Sequence, residues 1–131
     1  MEQRYESVLE ALKFLVQWSI TLIVIQSGAL SVLGALLKGG RKNSVNKRQT
    51  LLLKICFIAF ITSIFISAHV ISAMPPIAQE LPELVGHYDD IYRMQNVIGI
   101  PLGVLAILQH SFFIIGIVGF GLFIYFFVTK E

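Results

Sequence analysis

Ionisable side chains that could perform chemistry are rare in the apolar parts of this 131-residue sequence. His69 and His110 are the acid–base groups deep in long apolar runs, where they could line a vestibule or pack against a neighbouring Ser or Gln. His87, Asp89 and Asp90 could bind a cation, although their spacing matches no calcium or zinc motif. Both aspartates equally suit the first turn of a helix. The sequence therefore predicts no metal site, no cofactor and no catalytic set, and we expect no enzymatic activity.

Three long apolar runs must position these side chains: residues 14–37, 51–74 and 98–128. A bilayer core of about 30 Å requires about 20 helical residues, so each run is long enough to cross it. Charged residues make up 14% of the chain, against about a quarter in soluble domains. We therefore predict an all-α integral membrane protein with a single membrane domain over 1–131 and three transmembrane helices.

The segments that flank the apolar runs carry most of the charge. Residues 1–13 place apolar and charged side chains at helical spacing, which predicts an amphipathic extension, either on the membrane surface or at the end of one long first helix. Pro75 and Pro76 are expected to end the second helix, because proline lacks the backbone donor that a helix needs. Residues 75–97 then form an outer loop with a short interfacial segment, and Pro101 suits the first turn of the third helix.

Positive charge is concentrated in the connector 38–50, and positive residues are retained on the cytoplasmic side of membranes. We therefore expect this loop inside, the amino terminus outside and the carboxy terminus inside, in a bacterial inner (plasma) membrane. The same side chains could contact anionic lipid or phosphate. Binding of nucleotide or nucleic acid is the less favoured interpretation, because the loop lacks the P-loop pattern. The residues concerned are Lys38, Arg41, Lys42, Lys47 and Arg48.

Small and polar side chains recur at helical spacing in all three runs. Such faces allow helix backbones to approach closely, and an amide in mid-span needs a partner other than lipid. We expect these faces to line a pore or to form helix–helix interfaces. The candidate residues are Gln17, Thr21, Gln26, Ser27, Gly28, Ser31, Ser63, Ser67, His69, Gly99, Gly103 and His110.

Two classes of function fit these features. In the first, the chain self-associates in the bilayer as an oligomeric bundle, and its first helices line a channel or pore. A membrane-disrupting effector is a special case of this class. In the second, the chain is a non-catalytic structural or regulatory subunit, and the same faces pack against another membrane or cytoplasmic subunit. Subunit stoichiometry separates the two classes.

Overall fold

The computed structural model describes residues 2–39, 45–87, 90–95 and 98–129, and it is all-helical. Its elements in chain order are α1 (Glu2–Gly39), α2 (Lys47–His87), a short 3₁₀ helix (Ile91–Arg93) and α3 (Leu102–Thr129). Each α-helix is long and apolar enough to cross a membrane. The prediction of three long apolar helices is confirmed, and they indicate a membrane-embedded protein.

α2 is the central helix of the bundle. It contacts both α1 and α3, whereas α1 and α3 have little contact with each other. The first of two buried clusters joins all three helices and contains Leu12, Leu15, Val70, Ala73, Ile77, Leu81, Val85, Leu102, Leu105 and Ala106, with Ile91 and Met94 from the connector. The second contains Ala29, Leu33, Cys56, Phe60 and Phe123.

α1 is a single helix of 38 residues, about 57 Å long at 1.5 Å per residue. It therefore extends well beyond a 30 Å hydrocarbon core. Tyr5, Val8 and Leu9 are partly buried and pack on the first apolar cluster. The sequence allowed the amphipathic amino-terminal segment either to lie on the membrane surface or to form the end of one long first helix. In the structure it forms the end of α1.

The expectation that Pro75 and Pro76 end the second helix is wrong, because α2 continues for 41 residues to His87 with three prolines inside it. Each proline removes one backbone donor. Beyond the proline pair, Ile77, Leu81 and Val85 recur every four residues and are buried in the first cluster. Packing of this stripe offsets the lost hydrogen bonds, and most helical stability in proteins comes from such tertiary contacts.

The connector before α3 is fixed by backbone hydrogen bonds. The Asp90 carboxylate accepts from the Tyr92 N–H at 3.1 Å and caps the 3₁₀ helix. The Leu102 N–H donates to the Met94 carbonyl at 2.8 Å, so the chain returns to the 3₁₀ helix as α3 begins. Gly99 has φ +83°, a left-handed conformation that favours glycine. α3 begins at Leu102, four residues after the start of the apolar run 98–128.

Gly99 and Gly103 do not lie on one helical face. Gly99 precedes α3 and does not lie on its surface. Gly103 lies on α3, but a Cβ there would be 3.1 Å from both Cβ and the carbonyl oxygen of Tyr92. Its small size therefore accommodates the 3₁₀ helix within the chain.

Two other glycines of α3 contact side chains of α2. A Cβ on Gly116 would lie 2.5 Å from two ring carbons of Phe60, and one on Gly119 would lie 2.9 Å from the Cys56 sulfur. The small-residue stripe of α2 that contains Ala59, Ser63 and Ser67 is buried as well. The α2 and α3 backbones therefore pack closely within one chain.

Candidate functional site

Gln109 of α3 is the centre of a hydroxyl–amide cluster that joins the three long helices. Its side-chain Oε1 accepts from Ser19 Oγ of α1 at 3.3 Å and from Ser67 Oγ of α2 at 3.0 Å. Its backbone carbonyl accepts from Ser63 Oγ at 2.8 Å. All four residues are fully buried. Two serines of α2 and one of α1 thus meet a single glutamine inside the bundle.

Two buried glutamines keep amide atoms without hydrogen-bond partners in the described part of the chain. These are Nε2 of Gln109 and both Nε2 and Oε1 of Gln26. Gln26 lies on the buried face of α1, seven residues after Ser19, or about 10 Å further along the helix. An unpartnered buried polar group costs about 1–3 kcal/mol, so the interior of this bundle carries a polar cost that aliphatic residues would avoid.

Trp18 and His110 form a second polar contact between α1 and α3. The Trp18 Nε1–H donates to His110 Nε2, and the two rings stack with centroids 5.8 Å apart. His110 Nδ1 lies 2.6 Å from the Ala106 carbonyl oxygen. An imidazole that accepts at Nε2 must carry its proton on Nδ1, which then donates to Ala106. Both ring nitrogens are therefore engaged in the neutral tautomer.

An open groove of about 700 Å³ lies between α1, the 3₁₀ helix and α3. Phe14, Tyr92 and the Trp18–His110 pair form its walls, and Glu10 supplies a carboxylate. Among the described residues, the lining of the groove is mostly apolar and includes a single charged side chain.

The polar stripe of α1 lies on the side opposite the bundle interior. Thr21 Oγ1 donates to the Gln17 carbonyl and Ser31 Oγ to the Ser27 carbonyl, both at 2.9 Å. These four side chains and Gly28 are exposed, whereas Gln26 is fully buried. The structure thus separates Gln26 from the other polar residues of α1 that were predicted to line a pore or a helix interface.

His69 and His110 have different neighbours. His69 is half-buried on α2, and its ring meets Phe65 of the same helix edge to face with centroids 4.6 Å apart. His110 instead belongs to the Trp18 pair described above. The structure thus gives the two histidines separate environments.

The basic residues of the connector lie at one end of the bundle, here called the basic end. Lys38 at the end of α1 and Lys47 and Arg48 at the start of α2 are exposed there. Gln49 is buried beside them and donates to the Phe126 carbonyl of α3 at 2.9 Å. Arg41, Lys42, Asp89 and the side chain of His87 lie outside the described residues, so the predicted phosphate and cation contacts at those positions stay predictions.

The sequence-based predictions did not include Gln109 as the hub, Ser19 as its partner on α1 or Trp18 as the partner of His110. A signal was present, because an amide within a strongly apolar run requires a buried partner. Helical phase was a second signal. Gln26 follows Gln17 by nine residues, or two and a half turns at 3.6 residues per turn, which places the two glutamines on opposite sides of α1. Ser19 and Gln26 are seven residues apart and share one face.

The fold and this cluster define the class of the molecule as an α-helical membrane-embedded protein with hydroxyl and amide groups in its interior. Comparisons with protein-family models, with curated proteins and with solved structures found no match to the chain.

Proposed function

We propose that this chain forms a homo-oligomeric channel or pore in which copies associate through the polar face of α1. This face is defined by Gln17, Thr21, Gly28 and Ser31, which are all exposed in the single chain. Its exposure on a membrane-spanning helix is the observation that supports the proposal. In the assembly, the face is directed towards other copies and towards an aqueous path.

The outward faces of the other two helices differ from that of α1. On α2 the most exposed side chains in the apolar part include Ile58, Ile61 and Phe65, and on α3 they include Ile107 and Ile114. Such side chains suit lipid. The polar face of α1 interrupts its apolar surface with an amide, two hydroxyls and a glycine, and polar groups in lipid favour association with protein or water.

The position of this face supports contact between chains. The buried side of α1 already packs within the bundle through Leu12, Leu22 and Leu33, so α1 can contact a further copy without giving up those contacts. Three helices cannot enclose a water-filled path alone, whereas a ring of copies can. Uncharged amide and hydroxyl groups at the lining predict weak ion selectivity.

The proposal includes an orientation. The basic end carries Lys38, Lys47 and Arg48, while the opposite end, here called the acidic end, carries Glu2 and Glu6 of α1 together with Glu80 and Glu83 of α2. Retention of positive residues on the cytoplasmic side favours the basic end inside and the amino terminus outside, in a bacterial inner membrane.

A pair of glycine variants tests the assembly without disturbing the single chain. Gly28 and Gly121 are both exposed in membrane-spanning helices, and a Cβ at either position meets nothing within 4 Å. Gly28→Leu adds bulk to the polar face of α1, whereas Gly121→Leu adds the same bulk to α3. The full chain and both variants are reconstituted in nanodiscs, and oligomer mass is measured by native mass spectrometry and conductance in planar bilayers.

We expect a homo-oligomer with conductance for the unmodified chain and for Gly121→Leu, and a smaller species with reduced conductance for Gly28→Leu. If the two variants have the same oligomer mass and the same conductance, the polar face of α1 is not the surface through which copies associate. A monomer that purifies only with a different membrane protein would contradict the pore and support a subunit of a larger complex.

A further inference from the structure

We propose that the groove between α1 and α3 binds one phospholipid with a cationic ammonium headgroup, held with its ammonium against Glu10. The groove has a volume of about 700 Å³, within the range of about 300–1,000 Å³ typical of ligand pockets. This space accommodates a headgroup and the upper part of an acyl chain, whose remainder continues into the bilayer. The proposal is independent of whether the protein conducts ions.

Charge complementarity selects the headgroup. Glu10 is the charged side chain in the lining, and the Ser7 hydroxyl beside it already donates to the Gln3 carbonyl at 2.9 Å. The polar end of the groove therefore offers a carboxylate and hydroxyl lone pairs. These groups attract an ammonium and disfavour a headgroup whose only charge is negative.

The hydrogen-bonding state of the walls favours an apolar chain below that headgroup. The indole N–H of Trp18 is engaged by His110, and His110 in turn is engaged by the Ala106 carbonyl. The Trp18–His110 pair thus presents ring faces to the groove at this depth. Phe14, which is 73% exposed, and the buried side chains of Leu15 and Ala106 add apolar surface for an acyl chain.

The aromatic residues match the depth at which a headgroup joins its acyl chains. Trp18 and Tyr92 are 40% and 49% exposed, and amphipathic aromatic rings are enriched at the membrane–water interface. Glu10 precedes Trp18 by eight residues, about 12 Å along α1. An ammonium near Glu10 can therefore contact the face of Tyr92 while its chain follows α1 towards Trp18.

Trp18 is the sole tryptophan of the chain, so its fluorescence reports on the groove directly. The full chain is reconstituted in nanodiscs of unbrominated phosphatidylglycerol that contain a small fraction of lipid brominated in the upper acyl chain. In one series the brominated lipid is phosphatidylethanolamine, and in the other it is phosphatidylglycerol. Bromine quenches the indole on contact, so quenching at equal mole fraction compares the two headgroups at this site.

We expect phosphatidylethanolamine to quench Trp18 with an apparent affinity about twofold to fivefold above that of phosphatidylglycerol, because a charge pair with an exposed carboxylate contributes up to about 1 kcal/mol. Glu10→Gln should abolish this preference. Glu80→Gln, which removes an exposed glutamate of α2 outside the groove lining, should retain it.

Equal quenching by the two lipids in the unmodified chain would overturn the proposal, because it is the result for lipids that contact the protein surface at random. A preference that persists in Glu10→Gln would also overturn the assignment of the ammonium to Glu10. Quenching in the unmodified chain is enough to distinguish specific lipid binding from random lipid contact, so the test does not depend on the folding of a variant.

Discussion

Gly116→Ala is the sharpest test of the packing that holds α2 against α3. The new Cβ would lie 2.5 Å from two ring carbons of Phe60, whereas ordinary van der Waals contact begins at 3.4 Å. The ring must therefore retreat by about 0.9 Å, the difference between those distances. Phe60 is fully buried and packs in a cluster with Leu33 and Phe123, so it has no free space to enter. Overpacking of this kind costs about 1–3 kcal/mol.

The assay is reversible unfolding in mixed micelles, with the free energy of unfolding measured for each variant. Gly121→Ala is the matched control, because a Cβ there meets nothing within 4 Å. Replacing an exposed helical glycine by alanine changes stability by about 1 kcal/mol or less in the favourable direction. We therefore expect Gly116→Ala to be clearly less stable than Gly121→Ala.

A double-mutant cycle identifies Phe60 as the group that resists the new methyl. Phe60→Leu alone should destabilise by leaving a cavity. The double variant with Gly116→Ala should be more stable than the sum of the two single effects predicts, with a coupling of about 1 kcal/mol or more. A coupling near zero, or a Gly116→Ala variant as stable as Gly121→Ala, would refute the close approach of α2 and α3 at this glycine.

Two further predictions concern the buried amide and the orientation. Gln26→Leu should raise the free energy of unfolding by about 1–3 kcal/mol, because it removes two unpartnered buried polar atoms and keeps a similar side-chain volume. A lower free energy of unfolding would show that the amide has a partner in the bilayer. Cysteines at Lys47 and Glu80, which are exposed at opposite ends of the bundle, should react with a membrane-impermeant maleimide from opposite sides. In intact bacterial spheroplasts we expect Glu80→Cys to be labelled and Lys47→Cys to be protected, and the reverse pattern would contradict the orientation.

The number and class of the helices were predictable because they depend on a local property, the length of each apolar run. The end of α2 was not predictable in this way. Pro75 and Pro76 predicted a helix end because each removes a backbone donor within one helix, which is a local effect. The stripe Ile77, Leu81 and Val85 is buried in a cluster with residues of α1, the 3₁₀ connector and α3, and the α1 residues are distant in sequence. A local penalty was therefore outweighed by a tertiary contact.

The sequence predicted which types of residue form the candidate site, but not which of those residues contact one another. Polar residues in lipid were expected to face protein or water, and Ser63 and Ser67 are buried in the bundle. Which protein surface each residue faces depends on the packing of the helices, and the sequence does not contain it explicitly. Gln109 illustrates this, because its three serine donors come from two other helices.

In the proposed oligomer, the polar groups on the exposed face of α1 would not contribute equally to the free energy of assembly. The hydroxyls of Thr21 and Ser31 already donate to carbonyls of their own helix, so exposing them to lipid leaves no donor unpaired. Their lone pairs remain free to accept from water or to meet a cation. The larger gain on assembly must then come from the amide of Gln17 and from close backbone approach at Gly28. It follows that deleting the hydroxyls should affect conductance more than assembly, whereas adding bulk at Gly28 should affect assembly first.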